Sequence, residues 1–420
     1  MRNCREKKIK YGYMNTKSMV MRALLVGLFL CSTIGVWAQK SSRLKQHDTV
    51  INSAVGSWAL KSSQLKYYDP RDLNLPVIGR GFADCVRPND TVSDGFYTRL
   101  PADMQNVREA LWDLGQNSAG IAIRFRTNSR AIGAQWEPLN NFSMSHMTPT
   151  GIKGLDLYAL IDGEWQFAGI AQPNGKQSRN MIVKKMDGQT REYLLYLPLY
   201  DGIKSLKIGV DSSAVIEMPQ VDDLLPKNPA TVAKEDLPVV FYGTSITQGG
   251  CATRPGMAFP AIIGRKLHKE TINLGFSGNG RMDRIMADKI ATIPASAYVI
   301  DCIANCTYDI VRDSTEYFIR TIADANPDTP IYMVSNYFLP SMYLDTQWRA
   351  DAMKENELWK SLCDKLRKEG YKNVKYIDAF IAPDKKKSPI GPDYEACVDG
   401  IHFTDMGFAR AAEFFMKWLK

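Results

Sequence analysis

Apolar and polar positions follow two different rhythms along the chain, with the change near residue 219. From about residue 50 to 215, short alternating segments are separated by Gly, Pro, Asn and Asp. They predict strands at Ser57–Leu60, Gly120–Thr127, Ile132–Trp136, Leu155–Ile161, Gln166–Ala171, Arg191–Leu197 and Leu206–Val210. Turn signals such as Asp162-Gly163 and Pro173-Asn174-Gly175 lie between them, and helical periodicity is scarce. A period of two turns one strand face toward a core, so this spacing predicts an antiparallel β-sandwich. Alternation in Glu192–Leu197 is visible but imperfect.

Pro219, Pro226, Pro229 and Pro238 bracket an acidic, lysine-containing run that reads as a linker over 219–237. Beyond it, strand-like runs recur at Val239–Tyr242, Thr271–Leu274, Ala297–Asp301, Ile331–Ser335 and Val374–Ile377. Helix-length stretches separate them at Ala258–His268, Arg284–Ile293, Ser314–Asn326 and Ala350–Glu369, and a last helix starts near Thr404 or Asp405. Alternating β and α units predict a parallel sheet with helices on both faces, its strand ends sharing one rim. The predicted organisation is thus residues 1–38, a β-sandwich over 39–218, the linker, and a three-layer α/β/α domain over 238–420.

Composition is that of a folded protein, 45% hydrophobic and 23% charged over 420 residues, a length that fits two or three domains. The net charge of +8 is unevenly placed. Residues 1–38 hold seven Lys/Arg against Glu6 and so carry +6 of it, leaving about +2 for the rest. A near-neutral body gives no electrostatic case for nucleic acid or a membrane surface. The basic start, the short apolar run Ala23–Cys31 and the small residues before Gln39 predict a secretory signal cleaved after Ala38. A retained anchor is the alternative, although about 15 apolar residues fall short of the ~20 that span a bilayer. Met19 and Met21 are further candidate starts. Export to the periplasm or beyond would follow, with no membrane attachment after cleavage. Six cysteines then remain, too few for a disulfide scaffold, and neither CxxC nor HExxH is present, so no metal or cofactor is expected.

Chemistry gathers at the predicted rim. The strand Val239–Tyr242 runs into Gly243-Thr244-Ser245, whose glycine permits a sharp turn and places Ser245 where open α/β sheets put their ligands. An ordinary strand-to-loop turn is the plainer reading. Asn273–Gly280, Asp301–Asn305 and Asp399–His402 end at the same rim. A serine hydroxyl attacks only as a base takes its proton, which suits His402, and Asp399 would orient the imidazole. The N–H groups of Ser245 and Gly278 and the Asn305 amide are natural donors to a developing oxyanion. Taken singly, each of these residues is equally a cap or turn residue.

Together, the four blocks resemble those of the SGNH/GDSL hydrolases: GTSITQGG around Ser245, NLGFSGNG around Gly278, DCIANC around Asn305 and DGIHFTD around Asp399 and His402. Gly154–Tyr158 likewise matches the GxDLY signature of a β-rich domain found in front of some of these esterases. The resemblance implies a flavodoxin-like α/β/α catalytic domain behind a jelly-roll-like sandwich. It assigns Ser245 as nucleophile and oxyanion donor, Gly278 and Asn305 as further donors, and Asp399 and His402 as the rest of a triad. Thr244, Cys306 and Phe403 depart from the family's usual Asp, Asp and Pro. The expected activity is that of a serine esterase removing acyl, in particular acetyl, groups from an acylated small molecule or an oligo- or polysaccharide. A lipid or lysophospholipid acyl hydrolase and a catalytically silent carbohydrate-binding protein are the alternatives; the lack of a Leu/Phe-rich stretch near the motifs argues against the lipid. Trp136, Tyr158, Trp165, Tyr337 and Trp348 are candidate sugar-stacking aromatics, Tyr337 and Trp348 nearest the motifs. Cys251 and Cys397 flank the motifs and are either a disulfide pair or two free thiols.

Overall fold

Period-two alternation in the first half becomes two antiparallel sheets. The computed structural model describes residues 65–82, 96–141, 143–383 and 387–419. Residues 1–38, the strand predicted at Ser57–Leu60, and Cys85 lie outside them. One sheet has the order β1 (Leu65–Tyr68), β9 (Ile203–Asp211), β4 (Ala131–Pro138), β7 (Ser178–Lys184). The other has the order β10 (Ile216–Glu217), β3 (Ala122–Thr127), β8 (Arg191–Tyr196), β5 (Leu155–Ile161), β6 (Glu164–Ala171), with β2 (Val77–Ile78) paired to β3. Ile123, Phe125, Leu155, Leu157, Tyr193 and Leu195 of the second sheet meet Ile132, Ala134, Trp136, Leu206 and Ile208 of the first.

The imperfect alternation of β8 has a cause. Its other face is covered too: Leu194 and Tyr196, with Ala122 and Tyr158, pack on Ala261 of helix α4 (Phe259–Leu267). A strand buried on both faces has no polar side to show.

The second half forms a five-stranded parallel sheet in the order β12 (Thr271–Gly275), β11 (Val239–Gly243), β13 (Ala297–Asp301), β14 (Ile331–Val334), β15 (Val374–Ile377). Phe259 and Ile263 of α4, with Phe408 and Phe415 of α8 (Asp405–Leu419), cover Val239, Phe241, Val299 and Ile377 on one face. On the other, α5 (Arg284–Ala291), α6 (Tyr308–Ala325) and α7 (Thr346–Lys368) lay Met286, Phe318 and Trp359 against Val240, Tyr242, Ile300 and Met333. Helices α6 and α7 start earlier than their apolar pattern predicts, because Thr307 accepts from the Ile310 N–H and Asp345 from the Trp348 N–H. Winding reverses between β12 and β13, and that reversal opens a crevice at the carboxyl end of β11.

Strand β5 also explains the GxDLY signature. Leu155 and Leu157 point into the sandwich, and by alternation Asp156 and Tyr158 point out of it. Buried Asp156 accepts from Arg254 Nη1 at 2.8 Å and from the Gly256 N–H at 2.9 Å, and Tyr158 Oη also bonds Arg254. The Arg254 guanidinium lies 4.0 Å from the centre of the Phe167 ring. The signature is therefore a clamp on the loop that follows Ser245. Burial pushes the Asp156 carboxyl up to about 6, against the pull of Arg254. Arg254→Met leaves that carboxylate buried without its cation, a change that costs about 3–5 kcal/mol. The loss should be largest at pH 8 and should shrink as pH falls toward about 6, because without Arg254 the carboxyl takes up its proton at a higher pH than in the wild type. Urea denaturation of both proteins at pH 5 and pH 8 checks it; a pH-independent gap would contradict it.

Candidate active site

The turn after β11 is built by close packing. A Cβ at Gly243 would lie 2.0 Å from Thr247 Oγ1 and 2.7 Å from the Asp301 carbonyl oxygen, so space, rather than an unusual dihedral, requires glycine there. Thr244 caps the short helix α3 (Ser245–Gln248), its Oγ1 accepting from the Ile246 N–H at 3.2 Å. Gly250 N–H donates to the Ser245 carbonyl at 2.7 Å and closes the turn. Ser245, as the first residue of α3, is left half-buried at the rim.

His402 reaches that serine from 157 residues away. Its Nε2 lies 2.9 Å from Ser245 Oγ, and its Nδ1 lies 2.7 Å from Asp399 Oδ2. The other carboxylate oxygen of Asp399 accepts from the N–H groups of Ile401 at 3.0 Å and His402 at 2.8 Å. Gly400, at φ +85°, makes this tight turn possible. Partial burial raises the Asp399 carboxyl, but the bonds from His402 and the two N–H groups outweigh it and hold the group at about 2. Behind the turn, Phe403 packs on Tyr337 and Phe408, and Thr404 Oγ1 accepts from the Gly407 N–H to start α8.

The candidate oxyanion donors Ser245, Gly278 and Asn305 line the same cleft as His402. Gly278 has φ +66°, and a Cβ there would touch nothing in the chain, so its glycine is required by backbone conformation. Asn305 Nδ2 donates to the Phe276 carbonyl at 3.1 Å, which leaves its second amide hydrogen directed elsewhere. Among the described residues, the backbone N–H groups of Ser245 and Gly278 donate to no protein acceptor.

Spacing gave no sign of the residues that brace this arrangement. Gln248 joins three segments: its Nε2 donates to the Leu199 carbonyl of the sandwich, and its Oε1 accepts from the Ser277 N–H. Arg99, also from the sandwich side, caps the end of β12 by donating to the Asn273 and Gly275 carbonyls under the Phe276 ring. Full burial lowers its guanidinium to about 9. Asp301 Oδ2 accepts from Thr247 Oγ1 at 3.0 Å and Tyr337 Oη at 2.9 Å, tying the serine's helix to the facing wall, and burial pushes this carboxyl up to about 7.

A cleft of ≈ 420 Å³ is lined by Ser245 and His402 together with Gly278, Asn305, Tyr337, Met342, Trp348 and Glu355. All of its lining residues belong to the parallel-sheet half. Trp348 is half-buried, whereas Tyr337 is 3% exposed and shows the cleft little of its ring. Three of the candidate stacking aromatics are not in this cleft. Trp136 fills the sandwich core and Tyr158 the interface, and Trp165 is spent on Asp223 through its Nε1 at 2.8 Å. Cys251 and Cys397 are free thiols, so no disulfide pins the two loops.

Comparison with known proteins follows the two halves. A family model described as the GDSL-like Lipase/Acylhydrolase family matches residues 236–420, and one described as the N-terminus of Esterase_SGNH_hydro-type matches 65–216. A solved structure from Bacteroides ovatus ATCC 8483, designated a GDSL-like lipase, is 34% identical, with a TM-score of 0.72 over 84% of this chain and 96% of that one. The chain belongs to the GDSL-like lipase/acylhydrolase family. Two more distant structures of similar fold are the salicylyl-acyltransferase SsfX3 of a tetracycline biosynthetic pathway and a family two carbohydrate esterase from Cellvibrio japonicus. The first is 16% identical with a TM-score of 0.64 over 84% of this chain and 96% of that one. The second is 11% identical with a TM-score of 0.52 over 84% and 97%. At these identities they share the fold. No match was found among curated proteins. Among the described residues, no helix of this family member is long and apolar enough to cross a membrane.

Proposed function

We propose that this GDSL-family acylhydrolase is an exported serine esterase that removes short acyl groups, acetyl above all, from carbohydrate hydroxyls. The observation that carries the proposal is the chain of hydrogen bonds from Asp399 through both ring nitrogens of His402 to Ser245 Oγ. In this reading, His402 Nε2 accepts the hydroxyl proton as Oγ forms its bond to the ester carbonyl carbon. Negative charge collects on the carbonyl oxygen, which is received by the N–H groups of Ser245 and Gly278 and the Asn305 amide. The imidazolium returns the proton to the departing sugar oxygen as the C–O bond breaks. Water, deprotonated by His402, then releases the acid from Ser245. No step calls on a metal or cofactor.

The cleft supports the choice of substrate. Trp348 offers an aromatic face, while Asn336, Asp351 and Glu355 offer acceptors suited to a hydroxyl-rich alcohol. Export rests on the amino-terminal 38 residues, which lie outside the described ones. One observation favours longer acyl chains instead. Although no Leu/Phe-rich stretch lies near the motifs, Tyr343 and Leu344 are 62% and 85% exposed just beyond Met342 of the cleft wall, and Ile401, 40% exposed, also lines it. Acetylated oligosaccharides and aryl esters of two to sixteen carbons, run side by side, separate the readings. The proposal expects kcat/KM to be highest for acetyl esters and to fall with chain length; a maximum at long chains would select the lipid reading, and no turnover of any ester would select a binding protein.

A further inference from the structure

Four side chains able to ligate a metal meet beside the His402 ring. Donor atoms of His146, Cys251, Asp399 and His402 all lie within 4.8 Å of one another. They come from three separate segments: the loop before α2 (Pro149–Lys153), the loop after α3, and the Asp399–His402 turn. The rings of His146 and His402 are 5.5 Å apart between centroids. Cys251 Sγ donates to the His146 carbonyl at 3.2 Å, so these two loops hold each other in place. Cys251 also keeps a left-handed backbone, φ +73°, which directs a buried thiol to a position where glycine would be the easier choice.

We propose that this cluster is an inhibitory site for zinc or a similarly thiophilic divalent cation, built from His146, Cys251 and the two triad partners of Ser245. The donor set of one thiol, two imidazoles and one carboxylate is the type zinc takes tetrahedrally, whereas magnesium and calcium prefer oxygen throughout. Zinc bonds of about 2.0–2.3 Å call for the widest donor pairs to close in and for the 2.7 Å Asp399–His402 contact to open. The inference rests on the catalytic reading in one respect: a carboxylate oxygen or ring nitrogen given to the cation is withdrawn from orienting or deprotonating Ser245. Coordination forms an S–Zn bond and releases the Cys251 thiol proton to solvent, with no redox step.

Binding can be measured apart from catalysis. Titration of Ser245→Ala protein with zinc chloride in a calorimeter should show one ion per chain and proton release that varies with the buffer. Cys251→Ser and His146→Ala, each checked for an unchanged melting midpoint, should weaken binding by at least about tenfold, since even outer-shell partners are worth 10–100-fold. Cobalt in place of zinc should give a thiolate charge-transfer band that Cys251→Ser removes. In the active protein, zinc should suppress ester hydrolysis, EDTA should restore it, and both substitutions should raise the inhibiting concentration by the same factor. The proposal is overturned if Ser245→Ala binds no zinc at millimolar concentration, or if both substitutions leave binding unchanged. Specific binding to a chain that hydrolyses no ester would overturn the inhibitory role and the catalytic reading while leaving the site.

Discussion

Ser245→Ala is expected to lower kcat for a short-chain aryl ester by about 10⁴–10⁶-fold without changing the unfolding midpoint. The size of the effect follows from what the hydroxyl does. In the proposed mechanism it forms the covalent bond to the acyl carbon, and the two hydroxyls nearest it in sequence are committed elsewhere: Thr244 is buried with its Oγ1 accepting from the Ile246 N–H, and Thr247 is buried with its hydroxyl donating to Asp301. Stability should be spared because Ser245 is half-buried and its backbone bonds to Gly249 and Gly250 do not involve the side chain. KM should move far less than kcat, since the proposed oxyanion donors and the cleft wall remain. Steady-state kinetics with a melting curve on the same preparation checks both parts; a loss below about tenfold would place the nucleophile elsewhere.

Asp399→Asn should cost about 10⁴-fold in kcat while leaving the hairpin that carries His402 intact. Asparagine keeps a carbonyl oxygen for the Ile401 and His402 N–H groups, so the turn survives. What changes is the proton on the ring. Asp399 Oδ2 accepts from Nδ1 and leaves Nε2 bare toward Ser245 Oγ, whereas an amide nitrogen facing Nδ1 reverses that tautomer. The base then meets the serine hydroxyl with its own hydrogen. Because Asp399 is held at about 2, its carboxylate is present across the working range and is lost only as pH falls through that value. The carboxylate therefore contributes no acid limb to the wild-type kcat profile above pH 4. A variant within about tenfold of wild type would show that the carboxylate does not set the tautomer.

Much of the fold was legible because the two rhythms are physical. All five predicted parallel strands are found within a residue; the central strands β11, β13 and β14 are buried throughout and read as nearly unbroken apolar runs. Strand β7 was not foreseen: Arg179, Asn180 and Lys184 interrupt its alternation, which an edge strand tolerates. Helix α1 (Glu109–Gly115) is too short to show a period. Three of the four polar blocks were legible because each follows a strand end, and the fourth, Asp399–His402, because it lies just before the last helix. Their support was not, as it comes from non-local contacts. Nothing in the spacing of Gln248, Arg99 or Asp301 announces that each spans two or three segments. The glycines teach the same point, since Gly243 is dictated by a neighbouring threonine and Gly278 by its own φ. The GxDLY residues look like one strand among many until their outward face is seen gripping Arg254.

The central claim is that Ser245 is the residue that takes the acyl group, and trapping it covalently is the most direct test. Wild-type protein treated with a fluorophosphonate should gain a single phosphonyl group, which mass spectrometry of the digested chain should locate on the peptide carrying Ser245. The label should be absent from Ser245→Ala and slow to form on Asp399→Asn. An adduct on a different residue, or unimpaired ester hydrolysis by protein that takes up no label, would contradict the account.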